Sequence, residues 1–250
     1  MNTNIEGKKI PEITFKTRSD NQWKDLTTKE IFENKKVIVF CLPGAFTPTC
    51  STAHLPRYDE LAPVFKANGI DDIYCLSVND TFVMNAWAST QKNKDVKMIP
   101  DGNGDFSDAI GLLVDKAAIG FGKRSWRYSM LVNNGVVEKA FIEPDKAGDP
   151  YEVSDADTML NFINPKAIIP PKATIITKEG CPHCTRAKAL LEKKGITYEE
   201  LVIGKDLTAV AMRSMTKAST TPQIFLNEEY IGGADQLEEF FAKNKDLASV

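Results

Sequence analysis

Residues 37–50 read VIVFCLPGAFTPTC, and the fold of the first half of the chain is decided there. The continuous apolar run at 37–42 predicts a strand buried on both faces, because a strand with one wet face alternates apolar and polar side chains. A proline and a glycine then break the pattern. A Thr-Pro-Thr run suited to a helix entry follows, and it delivers one thiol, Cys50, to the start of the next element. Working outward, IYCLSV at 73–78 is a second buried run. Between the two, Leu55, Tyr58, Leu61, Ala62 and Phe65 recur at helical spacing, and Gly69 is a suitable stop. Pro56 either kinks that helix or marks its first turns. Later, SMLVNNGVVEKAFIE places two strand-like runs around Asn134-Gly135, a hairpin signal, and a helix is expected over 154–163.

The stretch NPKAIIPPKA, 164–173, has prolines and no periodicity and reads as an extended linker. After it the pattern restarts. TIITK is expected as a strand, and a helix follows CPHC with Ala187, Leu190 and Leu191 on one face and Gly195 as its stop. TYEELVI and QIFLN read as strands and ADQLEEFFAKN as a closing helix. The order βαβα then ββα fits a small sheet with helices on its faces. The expected division is a domain over 1–163, a linker over 164–171 and a domain over 172–250, both α/β.

With 250 residues, 42% hydrophobic and 26% charged, the composition is that of a globular protein with room for two ordinary domains. A net charge of −3 gives no electrostatic reason to expect nucleic acid or an anionic membrane as partner. The start of the chain has no apolar core of a secretion signal, and no later apolar run is long enough to span a bilayer. The expected location is cytoplasmic. The cysteines are five and widely spread, which is not a disulfide framework. In a reducing compartment such thiols are catalytic, metal-binding or simply buried.

A thiol at a helix start is chemically special, because backbone N–H groups and the helix dipole favour the nucleophilic thiolate. Thr47 offers a hydroxyl to a thiolate or its substrate, and GKRSWRYSM offers Lys123, Arg124 and Arg127 as cations. Composition alone favours the blander reading of Cys50 as a small buried residue. The longer context decides otherwise. PGAFTPTC, HLPRY, SVNDTFVMNAW at 77–87, IPDGNGDF at 99–106 and RYSM at 127–130 together resemble the type II peroxiredoxins over most of 1–163. That resemblance implies a thioredoxin fold with Cys50 as peroxidatic cysteine, Thr47 orienting the peroxide, Pro43 shielding the thiolate and Arg127 stabilising both. It also implies self-association into at least a dimer. Arg124 is then a surface or interface residue. His54, one turn beyond Cys50, has no required role as a base, since peroxide reduction needs none once the thiolate exists. Cys41 reads as inert core. Cys75 reads as core, or as the resolving partner that some type II members carry at the matching place.

Cys181 and Cys184 form a C-x-x-C pair between a strand and a helix, the redox signature of the thioredoxin fold. A structural zinc site would need a second such pair, and there is none. KEGCPHC, TTPQIF and YIGGAD resemble glutaredoxin over nearly all of 172–250, with His183 where that family usually has tyrosine. The resemblance implies that Thr221, before a cis Pro222, pairs its backbone with glutathione. It implies that Lys178 lies near the glycine carboxylate, and that Ala234 and Asp235, after Gly233, hold the γ-glutamyl end. Joined, the halves resemble the fused peroxiredoxin–glutaredoxin enzymes. They imply a thiol peroxidase for hydrogen peroxide and alkyl hydroperoxides with no bound cofactor and no metal. Glutathione serves as co-substrate, and glutathione reductase enters indirectly. The alternatives are a redox relay that passes oxidation from Cys50 to client proteins, an iron–sulfur carrier using Cys181 with glutathione, and turnover by thioredoxin through Cys75.

Overall fold

The computed structural model describes residues 4–146 and 148–244. The chain divides into two compact units between Ile168 and Ile169. In the first unit the elements run β1 (Thr14–Ser19), β2 (Gln22–Thr27), α1 (Thr28–Phe32), β3 (Lys36–Cys41), a π-helical turn (Cys50–His54), α2 (Leu55–Ala67) and β4 (Asp72–Ser77). They continue with α3 (Thr81–Thr90), β5 (Lys97–Pro100), α4 (Asp105–Ala109), β6 (Leu113–Asp115), β7 (Lys123–Ser125), β8 (Tyr128–Asn133), β9 (Val136–Ile142) and α5 (Ala156–Ile163).

The central sheet has the order β5-β4-β3-β8-β9. β3 lies in its middle, parallel to β4 and antiparallel to β8. Its unbroken apolar sequence follows from that position. Val37, Val39 and Cys41 enter one core with Ile31, Phe32 and Phe106, whereas Ile38 and Phe40 enter the opposite core with Tyr58, Leu61, Trp87 and Met159. Both faces are therefore covered, one by α1, α4 and the β1–β2 hairpin, the other by α2, α3 and α5. The β8–β9 turn has Asn134 and Gly135 at φ 46 and 76. Both are left-handed, as a two-residue hairpin turn matching strand twist requires. Pro56 stands in the first turn of α2. The helix does not begin there, however: the π-helical turn carries it back to Cys50. Pro63 lies inside the same helix, which continues past it to Ala67. The last helix of this unit starts at Ala156 rather than 154, after Asp155 caps it by accepting from Thr158 N.

The second unit runs β10 (Ala173–Thr177), α6 (Pro182–Lys193), β11 (Tyr198–Val202), α7 (Ala209–Thr216), β12 (Gln223–Leu226), β13 (Glu229–Gly232) and α8 (Ala234–Lys243). The sheet order is β11-β10-β12-β13, with β10 parallel to β11 and antiparallel to β12. Its core joins Ile175 and Ile224 to Ala187, Leu191, Leu237 and Phe241. α7 and β13 were not legible in the sequence. α7 buries only Met212 and Thr216, too few for a helical stripe, and β13 is four residues with two exposed. Each unit is a mixed sheet flanked by helices, the thioredoxin fold. Among the described residues, no helix is long and apolar enough to cross a membrane.

Of the stretch between the units, Ala167 packs on the core of the first, and its N–H donates to Asn164 O. Lys172 exchanges backbone and side-chain hydrogen bonds with Asn227 of the second.

Candidate active sites

Cys50 is reached from β3 through a tight loop. Asn79 Oδ1 accepts from Ala45 N at 3.0 Å and from Ser77 Oγ at 2.7 Å, so the loop is tied to the end of β4. Phe46 takes the left-handed region at φ 63. Thr47 folds back, its hydroxyl donating to Gly44 O at 2.8 Å. Ser51 N then donates to Thr47 O, and the π-helical turn begins with Cys50 fully buried.

Arg127 enters from the β7–β8 junction and is 1% exposed. Its Nη2 lies 3.5 Å from Cys50 Sγ, and its Nη1 meets His54 Nδ1 at 3.1 Å. Nε and Nη2 both donate to the Asp149 carboxylate, and the guanidinium sits over the Tyr151 ring. One planar fork is thus held on three sides while it points at the thiol. Burial opposes the charge of Arg127. The hydrogen bond that Arg127 donates to Asp149, with the negative charge of Cys50 and of Asp149 behind it, outweighs that and raises its pKa. His54 Nε2 faces Ser154 O at 3.1 Å, and a carbonyl only accepts, so Nε2 carries the proton and Nδ1 receives the arginine. Burial, then the positive charge of Arg127, pushes His54 down to about 3, so the imidazole is neutral. His54 is therefore an acceptor that orients Arg127, not a base. The loop that brings Asp149 and Tyr151 is pinned by buried Glu143, whose carboxylate accepts from Glu152 N, Val153 N, Ser154 N and Ser154 Oγ.

Of the sequence-derived residues, Cys50 and Arg127 meet directly. Pro43 and Thr47 line a cleft of about 430 Å³ outside them, together with Pro48, Ile119, Phe121 and Asp149. In this structure the Thr47 hydroxyl serves Gly44 rather than Cys50. Lys123 and Arg124 stand apart from the thiol, Arg124 donating to Phe121 O and Val78 O. Cys41 and Cys75 are buried free thiols whose pKa burial pushes well up, which keeps them protonated. Asp149, Tyr151 and Glu143 were missed, as was the orienting role of His54. No local pattern marks them.

In the second unit, Gly180 at φ 69 turns the chain from β10 into α6. Cys181 is the N-cap residue, its sulfur accepting from Cys184 N at 3.2 Å. A disulfide joins it to Cys184, with Cα atoms 5.3 Å apart. The Thr221–Pro222 peptide is cis, and Thr221 O lies 3.6 Å from Cys181 Sγ. A cleft of about 590 Å³ beside Cys181 is lined by Lys178, His183, Arg213 and Thr221. Farther along, Ala234 and Asp235 open α8, where the first backbone N–H groups have no intrahelical acceptor. Gly233 N is taken by Gln236 Oε1 at 3.0 Å, and the Asp235 carboxylate pairs with Arg186. A ligand ammonium at Asp235 must therefore share that carboxylate with Arg186.

These two sites match known families in the same order along the chain. The chain belongs to the redoxin family, whose model matches residues 5–160, and a glutaredoxin model matches residues 173–231. It is a peroxiredoxin-type peroxidase, an oxidoreductase, fused to a C-terminal glutaredoxin domain. Among similar proteins is a hybrid peroxiredoxin, hyPrx5, of Haemophilus influenzae, 57% identical over 240 residues that span 96% of this chain and 100% of that one. Peroxiredoxin sll1621 of Synechocystis is 52% identical over 168 residues, 62% of this chain and 89% of its own. The crystal structure of reduced Prx3 from Vibrio vulnificus in complex with hydrogen peroxide aligns with TM-score 0.60 at 42% identity, covering 63% of this chain and 98% of that one.

Proposed function

We propose that the chain is a glutathione-dependent peroxidase for hydrogen peroxide and alkyl hydroperoxides, in which each unit performs half of the cycle. The observation that carries this reading is the buried Cys50 sulfur faced by the fixed Arg127 fork, in the same chain as a C-x-x-C pair at a helix start. The Cys50 thiolate attacks one peroxide oxygen. A sulfur–oxygen bond forms, the O–O bond breaks, and the other oxygen leaves with the electron pair and takes a proton to become water or an alcohol. Arg127 stabilises the charge that develops along that line, Thr47 orients the peroxide, and Pro43 excludes water. The product on the enzyme is a sulfenic acid. Glutathione condenses with it, releasing water and leaving a mixed disulfide on Cys50. Cys181 attacks the glutathione sulfur and frees Cys50. A second glutathione then clears Cys181 as oxidised glutathione, or Cys184 does so by closing the C-x-x-C disulfide. Lys178 takes the glycine carboxylate, Thr221 before Pro222 pairs with the cysteinyl backbone, and Gly233, Ala234 and Asp235 form the γ-glutamyl end of the site. Glutathione is a co-substrate and no cofactor remains bound.

The test is peroxide-dependent NADPH oxidation with glutathione, glutathione reductase and no other protein. Turnover by the wild type and its loss in Cys181→Ser are expected. Single oxidation of Cys50 without turnover in the wild type would show that glutathione is not the reductant.

A further inference from the structure

Lys123 and Arg124 are the cations of GKRSWRYSM that the reaction leaves unused, and Arg124 is the one with hydrogen bonds beside the cleft. The cleft outside Cys50 has two walls. One carries Pro43 and Thr47. The other is the loop 116–122, which presents Ile119 and Phe121, 64% and 37% exposed. That loop is closed by its own hydrogen bonds, Lys116 N to Gly122 O and Phe121 N to Lys116 O among them. Arg124 ties it to the rest of the unit. Its Nε donates to Phe121 O at 2.8 Å, its guanidinium lies over the Phe121 ring, and its Nη1 donates to Val78 O at 2.7 Å. Val78 precedes Asn79, the residue that fixes the opposite wall through Ala45. Both walls therefore hang from one corner at the end of β4, and Arg124 is the link to the apolar one.

The cleft of about 430 Å³ is far larger than hydrogen peroxide needs, since a water molecule occupies about 30 Å³. An apolar wall gives hydrogen peroxide nothing, whereas it shields a hydrocarbon tail from water. Resting on the peroxidase reading above, we propose that Arg124 is a positioning residue that sets substrate preference. By holding Phe121 and Ile119 opposite Thr47 it provides the seat for the apolar tail of an organic hydroperoxide, whose terminal oxygen then reaches Cys50.

The test is single-turnover oxidation of the reduced full-length protein, followed by intrinsic tryptophan fluorescence, with hydrogen peroxide and with cumene hydroperoxide. It needs no reductant, so it is independent of the glutathione step. In Arg124→Met the ratio of the cumene to the hydrogen peroxide rate constant should fall on the order of tenfold, the discrimination typical of one apolar contact in a pocket. Arg124→Lys should be intermediate, because one ammonium cannot reproduce a planar fork serving two carbonyls. Phe121→Ala, which keeps the clamp and removes the wall, should lower the ratio as Arg124→Met does, and it carries the test if Arg124→Met does not fold. An unchanged ratio, or an equal fall for both peroxides, overturns the assignment. Failure of cumene hydroperoxide alone to oxidise Cys50 in the wild type also overturns the assignment, whereas failure of both peroxides would instead overturn the peroxidase reading beneath it.

Discussion

At the scale of single residues, the peroxide site depends on where one guanidinium is held. Arg127 contacts Cys50, His54 and Asp149 at once, so its geometry is set before substrate arrives. Arg127→Gln keeps a donor but loses the fork and the charge. The Cys50 oxidation rate should fall by about 10²–10³, the effect of removing one preorganised donor, and stopped-flow fluorescence measures it. His54 makes the same site sensitive to acid. Its folded pKa of about 3 lies below its unfolded value near 6.5. Between those values the unfolded chain binds a proton that the folded chain does not, so stability falls as pH falls through that window and is unaffected by this group above it. The slope is at most about 1.4 kcal/mol per pH unit. All three tryptophans, Trp23, Trp87 and Trp126, lie in the first unit, so their fluorescence reports its unfolding alone. From pH 7 to 5 the wild type should lose about 2 kcal/mol that His54→Gln does not lose. Equal losses in the two proteins would mean that His54 is not held neutral.

At the scale of elements, the loop between β9 and α5 does two jobs. It supplies Asp149 and Tyr151 to Arg127, and its Ser154 carbonyl orients His54 and accepts from Tyr58. The loop is kept in place by Glu143, 2% exposed, which gathers the N–H groups of residues 152–154. Glu143→Gln replaces an acceptor-only group with one that also carries two donors, leaving bonds unmade in a buried place. It should cost about 1–3 kcal/mol. Because Asp149 and His54 are both displaced, the Cys50 oxidation rate should fall as well, without any change at Cys50 itself. A loss of thermal stability with an unaltered rate would show that the loop does not position Arg127.

At the scale of the whole molecule, two sites on separate units should behave as nearly independent parts. Cys50→Ser should abolish peroxide reduction and leave disulfide exchange by Cys181 intact, measured with a glutathionylated peptide. Residues 168–171 are the tether between the parts of the chain bonded to each unit, and they span about 12 Å when extended. A tether this short supplies an effective concentration on the order of millimolar where geometry permits contact. Residues 1–165 alone should oxidise normally and then turn over slowly with glutathione. Added fragment 172–250 should restore turnover only as its concentration approaches that range. If the first unit alone turns over as fast as the whole chain, Cys181 is not its reductant.

What could be read along the chain was whatever a local pattern encodes. The run at 37–42 is apolar throughout because β3 is covered on both faces, and Asn134-Gly135 turns because both residues accept a left-handed backbone. The motif spacings placed Cys50 and Cys181 at helix starts for the same local reason. The sequence did not show α7 and β13, whose few buried residues make no period. Nor did it show how each site is wired. Asp149 reaches Arg127 across 22 residues and His54 across 73, while Arg186 reaches Asp235 across 49. Those pairs exist only once the sheets have brought distant loops together. Thr47 likewise serves Gly44 because of how its loop is folded against Asn79. Periodicity, turn chemistry and helix entry act between near neighbours and are written in order along the chain. The orientation of a guanidinium, the tautomer of a buried imidazole and the width of a cleft are set by groups remote in sequence, and tertiary packing alone decides them.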